Sequence, residues 1–243
     1  MKIGIITDIH NNYEALNAVL DEFELCGVQK IICCGDIIGI GPEPEKTVKR
    51  IMQLKSKIEF VRGNHEEYLI GGIPSKVPND EMMSYEEMEY HKWEHLKLSG
   101  ESVRFIRSLP YSKTINIGNK KIYAAHYSMS SENKYINYNP KPSFSDLGYM
   151  FKNVKADIIL YGHNHNASVN HESDKWYINS GSLGCPVGTL NSANAGVLSI
   201  DGDNVSYEQL AVTYNVNKVV DDIKNIKYPD HKNILLYFYG VKN

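Results

Sequence analysis

No stretch of the chain runs through the roughly 20 apolar residues that a membrane-spanning helix requires, which sets that class of membrane protein aside. Positive charge is not in excess either. Against 29 Asp and Glu stand 26 Lys and Arg, a formal net charge of -3, so no global basic field exists to hold a nucleic-acid backbone, and no dedicated nucleic-acid partner is expected. Cysteine is sparse: Cys26, Cys33, Cys34 and Cys185 lack the paired spacing of a zinc ribbon, and Cys33 and Cys34 are neighbours in an apolar strand pattern. Reduced, mostly buried thiols fit a reducing compartment. The opening Met-Lys-Ile-Gly-Ile-Ile-Thr-Asp enters a strand pattern directly, without a charged leader, apolar stretch and small-residue cleavage site, and a cytoplasmic location is the expectation. Internal repeats and low-complexity segments are absent. What remains, 243 residues of which 42% are hydrophobic and 23% charged, suffices for the core of a single domain.

Hydrophobic periodicity orders that domain. Residues 2–7 read as a buried strand, 13–26 as an amphipathic helix with Ala15, Leu16, Val19, Leu20 and Phe23 on one face, and 30–34 as a second strand. A loop marked by Pro42 and Pro44 leads to a helix over about 45–56 and a third strand at 58–61. Residues of about 71–109 break the rhythm with a composition suited to helix, and are expected to form a helical insertion capping the cleft. Strands are then expected at 112–117, 120–126, 157–161, 167–171, 175–179, 195–200 and 204–211. The tail, about 213–243, reads as one helix and an apolar Ile-Leu-Leu-Tyr-Phe-Tyr segment that must cover its own core or meet a partner; the sequence leaves a homo-oligomer open. An α/β first half feeding a strand-rich second half predicts two sheets packed face to face and flanked by helices.

The short polar motifs fall where expected strands end, which is where an open sheet presents side chains to a cleft. Asp8-Ile9-His10 follows the first strand, and residues two apart in extended chain point the same way, so both can grip one ion; alone, such an Asp also reads as a helix cap. Gly35-Asp36 follows the second strand, with a carboxylate able to bridge two ions. Arg62-Gly63-Asn64-His65-Glu66 follows the third, joining a neutral amide, an imidazole and a guanidinium able to meet phosphate oxygens in pairs. His126 and Gly162-His163-Asn164-His165 end two later strands, and neutral imidazole suits first-row ions. Arg62 reads equally as a surface ion pair. His91 and His95, four apart among Lys92, Glu94 and Lys97, read as a solvated helix face and are left out of the site.

The order Asp8-x-His10, Gly35-Asp36, Gly63-Asn64-His65-Glu66, His126, Gly162-His163-x-His165 resembles the calcineurin-like metallophosphoesterases over residues of about 1–210. Gly35 to Pro44, with Asn179-Ser180-Gly181-Ser182-Leu183-Gly184, resembles the compact bacterial branch of small phosphodiesterases and diadenosine-tetraphosphate hydrolases. The resemblance implies a four-layer αββα sandwich. It also implies a first ion on Asp8, His10 and His165, a second on Asn64, His126 and His163, Asp36 bridging both, and His65 as an acid that Asp8 orients. Ser180, Cys185 and the segment Asn194-Ala195-Gly196 depart from the family pattern at positions off the ligands, which bears on substrate choice more than on chemistry.

Two divalent ions about 3.5–4 Å apart can hold phosphate oxygens and bring a bridging water to a pKa of about 7. Manganese, iron, zinc and nickel all suit the donor set, with manganese the first choice. The function so implied is a hydrolase of a small, nucleotide-like phosphodiester. A phosphomonoesterase or protein phosphatase, a dinucleoside polyphosphate hydrolase, and a metal-binding interaction scaffold are the rivals. No seryl or cysteinyl nucleophile with a partnered base is evident, and Cys185 reads as a packing residue beside the site.

Overall fold

The computed structural model describes residues 1–73, 83–131, 134–135, 138–185 and 192–241. Two five-stranded mixed sheets form the centre. The first is built from β1 (Lys2–Ile6), β2 (Lys30–Cys33), β3 (Ile58–Phe60), β9 (Ser192–Asp201) and β10 (Asn204–Thr213), in the order β10-β9-β1-β2-β3. The second comprises β4 (Ser112–Ile117), β5 (Lys120–Ala125), β6 (Ile158–Leu160), β7 (Ser168–Glu172) and β8 (Lys175–Asn179), ordered β4-β5-β6-β8-β7. In each, three parallel strands lie beside antiparallel partners: β1, β2 and β3 in the first, β5, β6 and β8 in the second.

The period of two along a strand decides which core each side chain enters. Ile3 and Ile5 of β1 face the second sheet with Ile32, Cys34 and Val61, meeting Ile122, Ala124, Ile158, Leu160 and Ile178. Ile6 faces the other way, into the layer formed by α1 (Tyr13–Leu25), α2 (Pro44–Leu54) and α5 (Gly100–Arg107), where Leu16, Val19, Phe23, Val48, Ile51 and Ile106 are buried. Both faces of the parallel strands are therefore covered, which is why they read as continuous apolar runs. On the far side α6 (Phe144–Met150) packs Leu147 and Phe151 against Ile159, Tyr161 and Tyr177. Helices, two sheets and helices thus make the αββα sandwich expected from the sequence.

Among the described residues of the expected insertion, Tyr85–His95 forms α4 and α5 follows, while residues 74–82 lie outside the described residues. α3 (Asn64–Gly71) begins earlier than the insertion was drawn, inside the third motif itself. α6 falls between the strands expected at 120–126 and 157–161, where no element was expected; Ser143 and Asp146 exchange hydrogen bonds there, Asp146 N–H donating to Ser143 Oγ at 3.2 Å and Ser143 N–H to Asp146 Oδ2 at 2.9 Å, a capping arrangement that starts a helix after Pro142. The tail makes two helices, not one: α7 (Val216–Ile226) and α8 (His231–Tyr239). The chain turns between them through left-handed Lys227 and Asp230 around Pro229. The apolar run is α8, and its Ile234, Leu235 and Tyr239 cover Val219, Val220, Ile223, Tyr228 and Tyr90 of the same chain.

Candidate metal centre

At the C-terminal edge of the parallel strands the chain leaves both sheets toward one point. The loop after β1 runs beside the loop after β2, with Asp8, His10 and Asn11 N–H donating to the carbonyls of Gly35, Asp36 and Ile37 at 3.0–3.1 Å. From the second sheet, Leu183 and Gly184 N–H reach the carbonyls of Thr7 and Asp8 at 3.0 Å, and His163 N–H donates to the Asp8 carboxylate. Asp8, His10, Asn11, Asp36, His163 and His165 all hold left-handed backbone, with φ between +48° and +73°. The two glycines of the later motifs serve contact, not conformation: a Cβ on Gly63 would collide with the Asp36 carboxylate, and one on Gly162 with Thr7 Oγ1.

Two donor groups result. In the first, His10 Nε2 and His165 Nε2 are 3.0 Å apart, and Asp8 Oδ1 lies 3.8 and 3.6 Å from them. Thr7 Oγ1 donates to Asp8 Oδ2 at 2.7 Å, so Oδ1 is the oxygen left facing the imidazoles. In the second, Asn64 Oδ1 lies 3.0 Å from both His126 Nε2 and His163 Nδ1, which are 3.3 Å apart, and Asp36 Oδ2 stands 3.1 Å from His126 Nε2. Asp36 belongs to the second group and also to one with His10 and His65, so it lies between the two. All seven side chains implied as ligands meet here, at most partly exposed.

The donor chemistry fits divalent ions. His10, His126 and His165 each present Nδ1 to a backbone carbonyl, of Ile38 at 3.3 Å, Cys34 at 2.8 Å and Cys185 at 3.0 Å. A proton on Nδ1 satisfies those contacts and leaves the Nε2 lone pairs pointing inward, as in protein metal sites. Two such lone pairs 3.0 Å apart repel unless a cation lies between them. Burial, reinforced by His165, lowers the pKa of His10 to about 4, and burial with His126 lowers that of His163 to about 4. At His126 burial works downward but is outweighed by the charge of Asp36 and its hydrogen bond, which lift the imidazole to about 10. Asp36, against the effect of burial, is held well below the usual carboxylate range by His126 and His65. This corner therefore calls for positive charge, which a metal ion would supply.

His65 stands beside the two donor groups and shares a grouping with His10 and Asp36. Its N–H donates to Asp36 Oδ1 at 3.0 Å, its Nε2 is 3.9 Å from Asp36 Oδ2, and its ring lies 4.9 Å from that of His10. Burial keeps it neutral by driving its pKa well down. The carboxylate facing it is Asp36, not Asp8 as the sequence reading had it. Arg62 is placed elsewhere: its guanidinium donates to Glu67 at 2.8 Å, to the Leu109 carbonyl at 2.6 Å and to that of Arg107 at 3.2 Å, over the Tyr111 ring. It ties the end of β3 to the chain entering β4. Cys185 is buried, and its carbonyl, not its thiol, serves the site by fixing His165.

Two residues escaped the sequence reading. Glu66, fully buried, accepts hydrogen bonds from four backbone N–H groups, those of Gly63, Asp36, Ile37 and Ile38, at 2.6–3.1 Å. It thereby clamps the loop after β2 to the start of α3. Its signal was a Glu in the first turn of a helix beginning at Asn64, visible only once that helix is assigned. The other is Glu94. With His91 it is fully buried, whereas a solvated face was expected; Lys92 and Lys97 take the solvent side and His91 and Glu94 turn inward. Aromatic rings line the rim: Tyr135 parallel to His163 at 6.1 Å, exposed Tyr138 at 5.4 Å from it, and Phe238 of α8 at 6.0 Å from His165.

Residues 1–203 match the model of the calcineurin-like phosphoesterase superfamily domain. An uncharacterised protein of Methanocaldococcus jannaschii is 30% identical over 252 residues, covering 94% of each chain. The phosphodiesterase YfcE of Escherichia coli K12 is 23% identical, over 83% of this chain and 89% of its own. A metallophosphoesterase structure from Sphaerobacter thermophilus shares the fold with a TM-score of 0.73 at 23% identity, covering 99% of each chain. The chain belongs to the calcineurin-like phosphoesterase superfamily and is a phosphoric ester hydrolase.

Proposed function

We propose that the protein hydrolyses a small phosphodiester with two divalent metal ions, one held by Asp8, His10 and His165, the other by Asn64, His126 and His163, with Asp36 shared between them. The observation that carries this reading is the convergence of the seven side chains in two groups with Asp36 between them. Bound there, a pair of divalent ions supplies Lewis acidity toward phosphate oxygens and a water acidic enough to attack at neutral pH. Only Asp8 and Asp36 among the seven are anionic, so the loaded centre retains positive charge and attracts an anionic ester. His65, neutral and beside Asp36, presents an N–H that can donate to the departing alkoxide. Asp36 accepts from the His65 backbone and so holds the ring in place. Aromatic rings at the rim, Tyr138 and Phe238, suit a flat organic substituent and a small substrate better than a protein loop. The similarity to a phosphodiesterase favours the diester.

The test compares bis-p-nitrophenyl phosphate with p-nitrophenyl phosphate, using metal-stripped protein resupplied with manganese. Metal-dependent diester turnover that falls by about 10²-fold or more in His65→Ala supports the proposal. A preference for the monoester would move the assignment to a phosphatase. Failure on both, together with turnover of a dinucleoside tetraphosphate, would replace it with a polyphosphate hydrolase. Loss of turnover on all three, with metal still bound, would leave a scaffold.

A further inference from the structure

Helix α4 carries His91-Lys92-Trp93-Glu94-His95. A helix returns to the same face after three or four residues, so His91, Glu94 and His95 share one side. That side is turned into the protein. His91 and Glu94 have no exposed surface, and His95 is partly covered. Each of the three offers a donor atom, and these atoms lie within 4.8 Å of one another. His91 Nδ1 is 3.3 Å from Glu94 Oε2, while the other Glu94 oxygen is held by Asn11 Nδ2 and by the N–H of Gly39. Nε2 of His91 and Nε2 of His95 are both buried and have no hydrogen-bond partner among the described residues. A buried imidazole nitrogen without a partner is a group whose loss of water nothing offsets, and two on one helix face, four residues apart, is the spacing at which helical histidine pairs hold zinc.

We propose that His91, Glu94 and His95 form a third cation site, separate from the strand-end centre, for one first-row divalent ion of the zinc class. Two imidazoles and one carboxylate match that class, whereas magnesium and calcium call for oxygen donors throughout. Three protein donors leave a fourth tetrahedral position for water, and His95, partly exposed, gives the ion a way in. Glu94 is already fixed by groups of the loop after β2 and by Asn11, so its part of the site is preorganised. None of the three residues belongs to the set of seven, yet the His91 ring lies 5.0 Å from that of His65, so the two centres are neighbours.

The experiment is metal stoichiometry of the full-length chain, stripped with chelator and titrated with zinc against a competing dye, for wild type and His95→Gln. His95 lies at the partly exposed end of the site, so the variant is expected to keep its melting temperature and metal-dependent diester turnover. The expected result is one fewer equivalent of zinc bound by His95→Gln, whatever the total in wild type. A second readout uses Asp8→Asn/Asp36→Asn/His126→Ala, which cripples both groups of the strand-end centre and should retain one tightly bound cobalt with the visible bands of tetrahedral nitrogen and oxygen ligation, lost when His95→Gln is added. Equal zinc stoichiometry in wild type and His95→Gln, or no such cobalt spectrum in the background lacking Asp8, Asp36 and His126, would overturn the proposal.

Discussion

The two sheets bring unlike chemistry to one site. The loops of the first supply both carboxylates, Asp8 and Asp36, the amide of Asn64 and one imidazole, His10; those of the second supply imidazoles alone, His126, His163 and His165. Negative charge thus comes from one side, neutral donors from the other. The first sheet's loops are also laced to each other by backbone hydrogen bonds and by Glu66, whereas the second sheet's loops reach across to them, His126 to the Cys34 carbonyl and His163 N–H to Asp8. The sandwich therefore does more than bury a core. It brings together half-sites that neither sheet provides alone.

Substitutions on the two sides should be unequal. Asp36→Asn removes the shared charge, and turnover is expected to fall by at least about 10³-fold with both ions weakened, whereas His126→Ala should lose one ion and keep the other. Metal content per chain, read beside diester turnover, decides it; equal metal loss in the two variants would remove the asymmetry. His65→Gln should come next, with kcat about 10²-fold lower and metal content unchanged, which separates a proton donor from a ligand. Glu66→Ala leaves four buried N–H groups on the first sheet's loops unpaired, and urea unfolding of the metal-free protein should show a loss of about 3 kcal/mol.

Smaller effects lie outside the centre. Glu94 is held below its usual value, its burial outweighed by hydrogen bonds from His91, Asn11 and Gly39 and by the charge of His91. A carboxyl with depressed folded pKa contributes stability that is present above the unfolded value, 4.5, and is lost as pH falls through the folded one. The urea midpoint of the metal-free protein should accordingly drop on acidification below that value, and Glu94→Gln should flatten the drop. An identical acid limb in both proteins would show that Glu94 does not carry it. Arg62→Ala should cost about 1 kcal/mol of stability with kcat nearly unchanged, because its guanidinium is engaged with Glu67 and two carbonyls.

How much the sequence told followed from the range of the interactions involved. The meeting of Asp8, His10, Asp36, Asn64, His126, His163 and His165 at one place could be read because each follows a strand whose apolar run announces it, and the two sheets do the rest. Glu66 could not, because its partners at Asp36, Ile37 and Ile38 come from a loop 28–30 residues earlier. His91 and Glu94 were misread because Lys92 lies on another face of the same helix and Lys97 just past its end. Arg62 read equally as a phosphate ligand and as an ion pair, and its acceptors are Glu67 on α3 and the carbonyls of Arg107 and Leu109 at the end of α5, the last two distant in sequence. The tail's division into two helices turned on left-handed Lys227 and Asp230, and lysine, unlike aspartate, carries no local mark for that conformation.

Left-handed backbone at five of the seven positions proposed as ligands limits how this centre can change through evolution. Asn, Asp and His are the side-chain-bearing residues that enter that region most readily. Exchanges that look conservative by donor chemistry, Asp8→Glu or His165→Cys, therefore also ask the chain to hold a conformation the newcomer resists. Drift at these positions is confined to a small alphabet, and adaptation toward a different ion falls to the carbonyls, the neighbouring acid and the rim around them.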